Sequence, residues 1–148
     1  MRTVQDLLKT KKKDIWSIER KAPVYDALKM MSDQEIGALL VVDDKGKIVG
    51  IITERDYARK VILKGKSSHD IPVEEIMTPA VEMYTVKPEN TVEECMVLIT
   101  GKKIRHLPVF DHETFAGLIS IGDVVKSIIA EQETLIEHLS SYIAGKYV

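Results

Sequence analysis

The chain has 148 residues, 45% of them hydrophobic and 30% charged, with a formal net charge of −2. That length suits one compact domain or two small ones sharing a core, and it buries enough surface to need no disulfide staples. The slightly acidic balance argues against a general nucleic-acid binder, the single Cys95 excludes an internal disulfide, and no apolar run approaches the ~20 residues that span a bilayer.

Residues 3–9 read as a short helix with Val4, Leu7 and Leu8 on one face, and the following Lys9-Thr10-Lys11-Lys12-Lys13 reads as its solvated end. The opening residues do not form a signal peptide, so a reducing cytoplasm is the expected location. Ile15 to Ile18 is expected to be a strand. Residues 23–33 are expected to be an amphipathic helix, because Val24, Ala27, Leu28 and Met31 recur at spacings of three and four. Ala38-Leu39-Leu40-Val41-Val42 is apolar without alternation, which predicts a strand buried on both faces. The turn Asp43-Asp44-Lys45-Gly46 leads into a second hairpin arm ending at Ile52. A helix is predicted from Glu54 to Leu63, with Tyr57, Ala58, Val61 and Ile62 inward. A polar linker runs from Lys64 to Pro72, and Val73 to Pro79 reads as a short helix ended by the proline.

The same order then recurs. Val81 to Val86 is expected to be a strand, and Pro88-Glu89-Asn90 to start a helix whose stripe is Val92, Cys95, Met96 and Ile99. Ile104 to Phe110 and Phe115 to Ile119 form the second hairpin, and a helix starts near Ser120. Its apolar stripe (Val124, Val125, Ile128, Ile129, Leu135, Ile136, Leu139, Ile143) runs on to a C-cap expected at Gly145. The final stretch either folds back over its own domain or packs against a second subunit.

The repeat is sharpest in Gly50-Ile51-Ile52-Thr53-Glu54-Arg55-Asp56 and Gly117-Leu118-Ile119-Ser120-Ile121-Gly122-Asp123, separated by 67 residues. With Glu75-Ile76-Met77-Thr78-Pro79 and Ile104-Arg105-His106-Leu107-Pro108-Val109, these stretches resemble the cystathionine-β-synthase (CBS) domain family, specifically a stand-alone tandem pair, or Bateman module. The resemblance covers roughly residues 1–130. It implies an α/β (α+β) fold of two β-α-β-β-α repeats packed about a pseudo-two-fold axis, with an extended C-terminal helix. The expected divisions are 1–70, 71–130 and a helical extension, 131–148. The family also implies clefts that hold adenosine-containing ligands, and disc-like dimers.

Thr53-x-x-Asp56 and Ser120-x-x-Asp123 fit helix capping boxes, with Asp replacing the usual Glu or Gln. They equally fit a ligand site. A helix N-terminus suits phosphate, a hydroxyl adds a donor, and an aspartate accepts the hydrogens of a ribose diol. The two readings can coexist. The resemblance places Arg105 and His106 against the nucleotide phosphates, where histidine adds charge only below about pH 6.5. Their counterparts Gly37 and Ala38 carry no charge, so the two sites are expected to be unequal. Arg55 could supply charge near the first site, whereas Arg59 and Lys60 read as a solvated helix face. Gly37, Ala38, Ile52, Thr78, Val81 and Ile119 are candidates for the adenine pocket, with core packing an equal reading for both isoleucines.

Catalytic patterns are absent. Gly65-Lys66-Ser67 lacks the first glycine of a phosphate loop, and the four histidines show no metal spacing with one another or with Cys95. The expected function is therefore a non-enzymatic regulatory module that binds AMP, ADP, ATP or NAD and acts through a homodimer or a protein partner. Nucleic acid and membrane are not expected as partners. The rival is a structural dimerisation module with empty clefts.

Overall fold

The computed structural model describes residues 2–11 and 16–144. In chain order the elements are α1 (Val4–Thr10), β1 (Ser17–Glu19), α2 (Val24–Gln34), β2 (Ala38–Val42), β3 (Ile48–Thr53), α3 (Glu54–Lys60) and α4 (Val73–Ile76). Then come β4 (Thr78–Pro79), α5 (Val92–Lys102), β5 (His106–Asp111), β6 (Thr114–Ser120) and α6 (Ile121–Ile143). They form two compact units, one of Asp14–Met83 and one of Met1–Lys13 with Tyr84–Val148. The units interleave in sequence, because α1 belongs with the second repeat and α4 with the first.

In the first-repeat unit the strand order is β1-β2-β3-β4, with β1 parallel to β2 and the other pairs antiparallel. β2 is central, and Ala38, Leu39, Leu40 and Val41 are all buried, which is why that strand carries no polar alternation. Its core joins Val24, Ala27 and Met31 of α2 to Leu39, Val41, Ile52, Val61 and Val73. α2 stops where Glu35 turns left-handed (φ 55°) and returns its N–H to Met31 and Ser32.

The second-repeat unit pairs β5 antiparallel with β6 and has its own core: Val4, Leu7, Val86, Val92, Cys95, Ile99, Leu107, Val109, Ile119 and Val124. Thr91 opens α5 as a full capping box with Glu94.

Equivalent contacts recur in the two units. The isolated bridges Thr3–Thr91 and Pro23–Pro72 occupy matching places. Both motif glycines sit where the short leading helix arrives. A Cβ at Gly50 would lie 2.6 Å from the Thr78 carbonyl oxygen and 2.7 Å from Met77 Sδ, and one at Gly117 would lie 2.7 Å from Leu8 Cδ2. Gly50 is therefore required by the close approach of Met77 and Thr78 just after α4, and Gly117 is where Leu8 of α1 packs on β6.

Several expectations need correction. The strand expected over Val81 to Val86 reduces to a single parallel bridge, Val86 with Val109, and residues 80–82 form a 3-10 turn. The cause is two prolines. In the first repeat, Leu40 N–H donates to Trp16 O and Arg20 N–H to Val42 O. The corresponding positions are Pro108 and Pro88, which have no N–H to donate. Only Val86 N–H to Pro108 O and Phe110 N–H to Val86 O survive.

The short helix after the linker ends at Ile76 rather than Pro79, because Thr78 and Pro79 pair with Ile51 and Gly50. Asn90 closes a turn, and the α5 cap is Thr91. α3 ends at Lys60 with the fully buried Val61 as its C-cap, and Ile62, in the 3-10 turn that follows, is 54% exposed. Ile15 and the C-cap expected at Gly145 lie outside the described residues.

Candidate functional site

Both motifs form complete capping boxes. In the first, Thr53 N–H and Oγ1 donate to Asp56 Oδ2 at 3.0 and 3.1 Å, and Asp56 N–H donates back to Thr53 Oγ1 at 3.2 Å. In the second, Ser120 N–H donates to Asp123 Oδ2 at 2.8 Å and Asp123 N–H donates to Ser120 Oγ at 3.3 Å. The next amide is also used in each copy. Glu54 N–H donates to Gly37 O, and Ile121 N–H donates to Arg105 O. Three of the four N-terminal N–H groups in each helix thus bond internally, which leaves little of an open anion cradle. The carboxylates, not the helix ends, are the chemically available groups.

The remaining candidates fall into two sets. Ala38 pairs with Thr53 across β2 and β3, with Gly37 just before them and Arg55 in the first turn of α3. Thr78 lies alongside on β4, whereas Val81 is 94% exposed in the 3-10 turn that follows. Ile52 and Ile119 are fully buried members of the two cores. In the second-repeat unit, His106 pairs with Ser120 across β5 and β6, with Arg105 next to it and Asp123 one turn into α6.

Two lysines that read as solvated are bonded instead. Lys60 Nζ donates to Ile76 O at 2.9 Å and sits 3.4 Å from Asp56 Oδ1. Lys11 Nζ donates to Leu118 O at 2.6 Å and to Asp123 Oδ2 at 2.7 Å. Lys11 comes from the segment after α1, 112 residues from its aspartate. No spacing rule could have found that pairing, although the lysine cluster marked the segment.

These charges set the protonation states. Burial pushes the Asp123 carboxyl up, but the Lys11 ammonium and the Ser120 donors outweigh it and hold the group below its ordinary value. His106 is lowered to about 4, chiefly by burial and then by the Lys11 and Arg105 charges, with Asp123 opposing. His106 is therefore neutral at physiological pH. The local cations are Lys11 and Arg105.

Among the described residues no group of three or more His, Cys, Asp and Glu side chains could hold a metal ion, and no helix is long and apolar enough to cross a membrane.

Comparison with known proteins gives a coherent picture. The family model of the CBS domain matches residues 4–63 and 73–130. The chain is 40% identical over 152 residues to the mitochondrial CBS domain-containing protein CBSX3 of Arabidopsis thaliana, covering 98% of this chain and 73% of that protein. It is 50% identical to a putative signal-transduction protein with CBS domains from Burkholderia ambifaria, with a TM-score of 0.82 over 88% of this chain and 96% of that one. It is also similar to CBSX2, solved in complex with AMP, at 25% identity and a TM-score of 0.70, covering 89% and 99% of the two chains.

Proposed function

Because the chain belongs to the CBS domain family, carrying two CBS domains in tandem, we propose that it is a non-enzymatic regulatory module binding an adenine nucleotide such as AMP, ATP or NAD. Asp56 and Asp123 receive ribose hydroxyls, Thr53 and Ser120 contribute hydroxyl oxygens beside them, and Arg105 and His106 face phosphate. His106 acts there as a neutral hydrogen-bonding group, and Arg105 supplies charge. Gly37, Ala38 and Thr78 offer backbone and small side chains to adenine.

The observation that carries this reading is the gathering of Arg105, His106, Ser120 and Asp123 at one end of the β5–β6 hairpin. The AMP complex of CBSX2 supports the ligand class. Binding is transmitted by a difference in affinity between two conformations, read out at a homodimer or partner interface. The lone buried Cys95 suits a reducing compartment, and cytoplasm is the location proposed.

A thermal-shift panel of adenosine, AMP, ADP, ATP and NAD tests the reading. A ligand at 100 times its Kd adds about 2.7 kcal/mol, several degrees for a chain this size. No response to any of the five at millimolar concentration overturns it. Asp123→Asn keeps a capping acceptor while removing the charge, so it should weaken binding with little loss of fold.

A structural dimerisation module without a ligand is the second reading, favoured by the apolar side chains that α6 leaves exposed. In that case the panel stays silent while the oligomer persists.

A further inference from the structure

Within the adenine-nucleotide reading, on which this inference rests, we infer that Lys11 is a specificity-determining residue that makes the second-repeat site prefer phosphorylated adenosine to the free nucleoside. An ammonium has three N–H donors. Leu118 O and Asp123 Oδ2 use two of them, at 2.6 and 2.7 Å, and the geometry leaves the third to a ligand oxygen. Asp123 Oδ2 is at the same time saturated by Lys11 and Ser120 N–H, so a ribose diol meets the other carboxylate oxygen, Oδ1.

Lys11 thus stands beside the ribose acceptor with one donor unspent, and a phosphate oxygen of the ligand is the acceptor assigned to it. It also corrects the local charge. Asp123 alone would repel a phosphate, and neutral His106 cannot offset it, whereas Lys11 cancels the carboxylate and leaves Arg105 as net positive charge. Among the described residues, the lysine beside the first-repeat aspartate is held differently, 3.4 Å from Asp56 Oδ1 rather than 2.7 Å from the oxygen that the capping amide also uses. That lysine, Lys60, comes from the same helix turn as Asp56 and donates to the Ile76 carbonyl.

A purely structural Lys11, pinning the segment after α1 to β6 and α6, makes a different prediction, because its loss would weaken every ligand alike. Titration calorimetry with AMP and adenosine separates the two cases, using wild type, Lys11→Gln and Lys11→Arg. Lys11→Gln should weaken AMP about 10- to 100-fold, the range of a lost charged hydrogen bond, with adenosine nearly unchanged. Lys11→Arg should restore most of the preference. Equal weakening of both ligands, or unchanged AMP affinity, overturns the assignment. A wild type that binds neither compound refutes the adenine-nucleotide reading itself, so the two failures are distinguishable.

A readout without ligand is the NMR titration of His106, whose facing charges are Lys11, Asp123 and Arg105. Its pKa should rise in Lys11→Gln. A value that does not move would mean that Lys11 is not at the site in solution.

Discussion

Leu8 packs so closely on Gly117 that a Cβ there would stand 2.7 Å from its Cδ2 methyl, as Met77 Sδ does at Gly50. The two contacts differ in the atom that stands nearest. At Gly50 the nearest atom is the Thr78 carbonyl oxygen, 2.6 Å away and fixed by β4, while at Gly117 it is the end of a flexible side chain. Gly50→Ala should therefore cost about 1–3 kcal/mol by overpacking, and Met77→Ala should not rescue it. Leu8→Ala should relieve part of the Gly117→Ala penalty. Urea denaturation of both double-mutant cycles checks this, and equal rescue in the two would contradict it.

The prolines of the second repeat give a backbone prediction. Pro108→Leu installs the residue found at the matching position, Leu40, and with it the N–H that donates to the preceding strand. The new amide should become protected from hydrogen exchange through a bond to the Tyr84 carbonyl. Fast exchange at position 108 would show that something other than the missing donor shortens that strand.

His106 makes stability depend on acid. Unfolded, it titrates near 6.5; folded, it is held at about 4. Between those values the unfolded chain binds more protons, so the stability is fully present above about pH 6.5 and drains as pH falls towards 4. The whole span is worth about 3 kcal/mol. His106→Gln should flatten the stability curve across that window. An unchanged slope would mean that His106 is not held neutral.

The far end of α6 should be dispensable for the fold. Leu135, Ile136, Leu139, Tyr142 and Ile143 are 58, 62, 53, 72 and 84% exposed, an apolar series longer than a solvated helix needs. Truncation after Ala130 should leave the melting temperature within a few degrees and convert the proposed dimer to monomer, measured by sedimentation. A truncated chain that still dimerises moves the interface elsewhere.

Periodicity revealed most of the fold. The stripes of α2 and α5 and the unalternated run of β2 follow directly from apolar spacing, and the recurrence of Gly-x-x-Thr/Ser-x-x-Asp announced the repeat. Local chemistry that depends on a missing atom was harder to see, as with the N–H groups absent at Pro88 and Pro108. Long-range pairing was invisible. Lys11 belongs to a run of lysines, and nothing in that run says which one reaches Asp123. The roles of Thr53 and Ser120 were ambiguous for another reason, since a capping box and a sugar-binding pair need the same residues at the same spacing.

The interleaving of the units has a consequence for synthesis. Residues 2–11 are made before the rest of their unit, whose other members lie beyond Tyr84. The unit formed by residues 14–83 can close while translation continues, whereas α1 must wait for β6, more than a hundred residues later. Loop closure over that separation is entropically slow. On the nascent chain, the apolar face of Val4, Leu7 and Leu8 stays open longest, and it is where a folding helper has the most time to act.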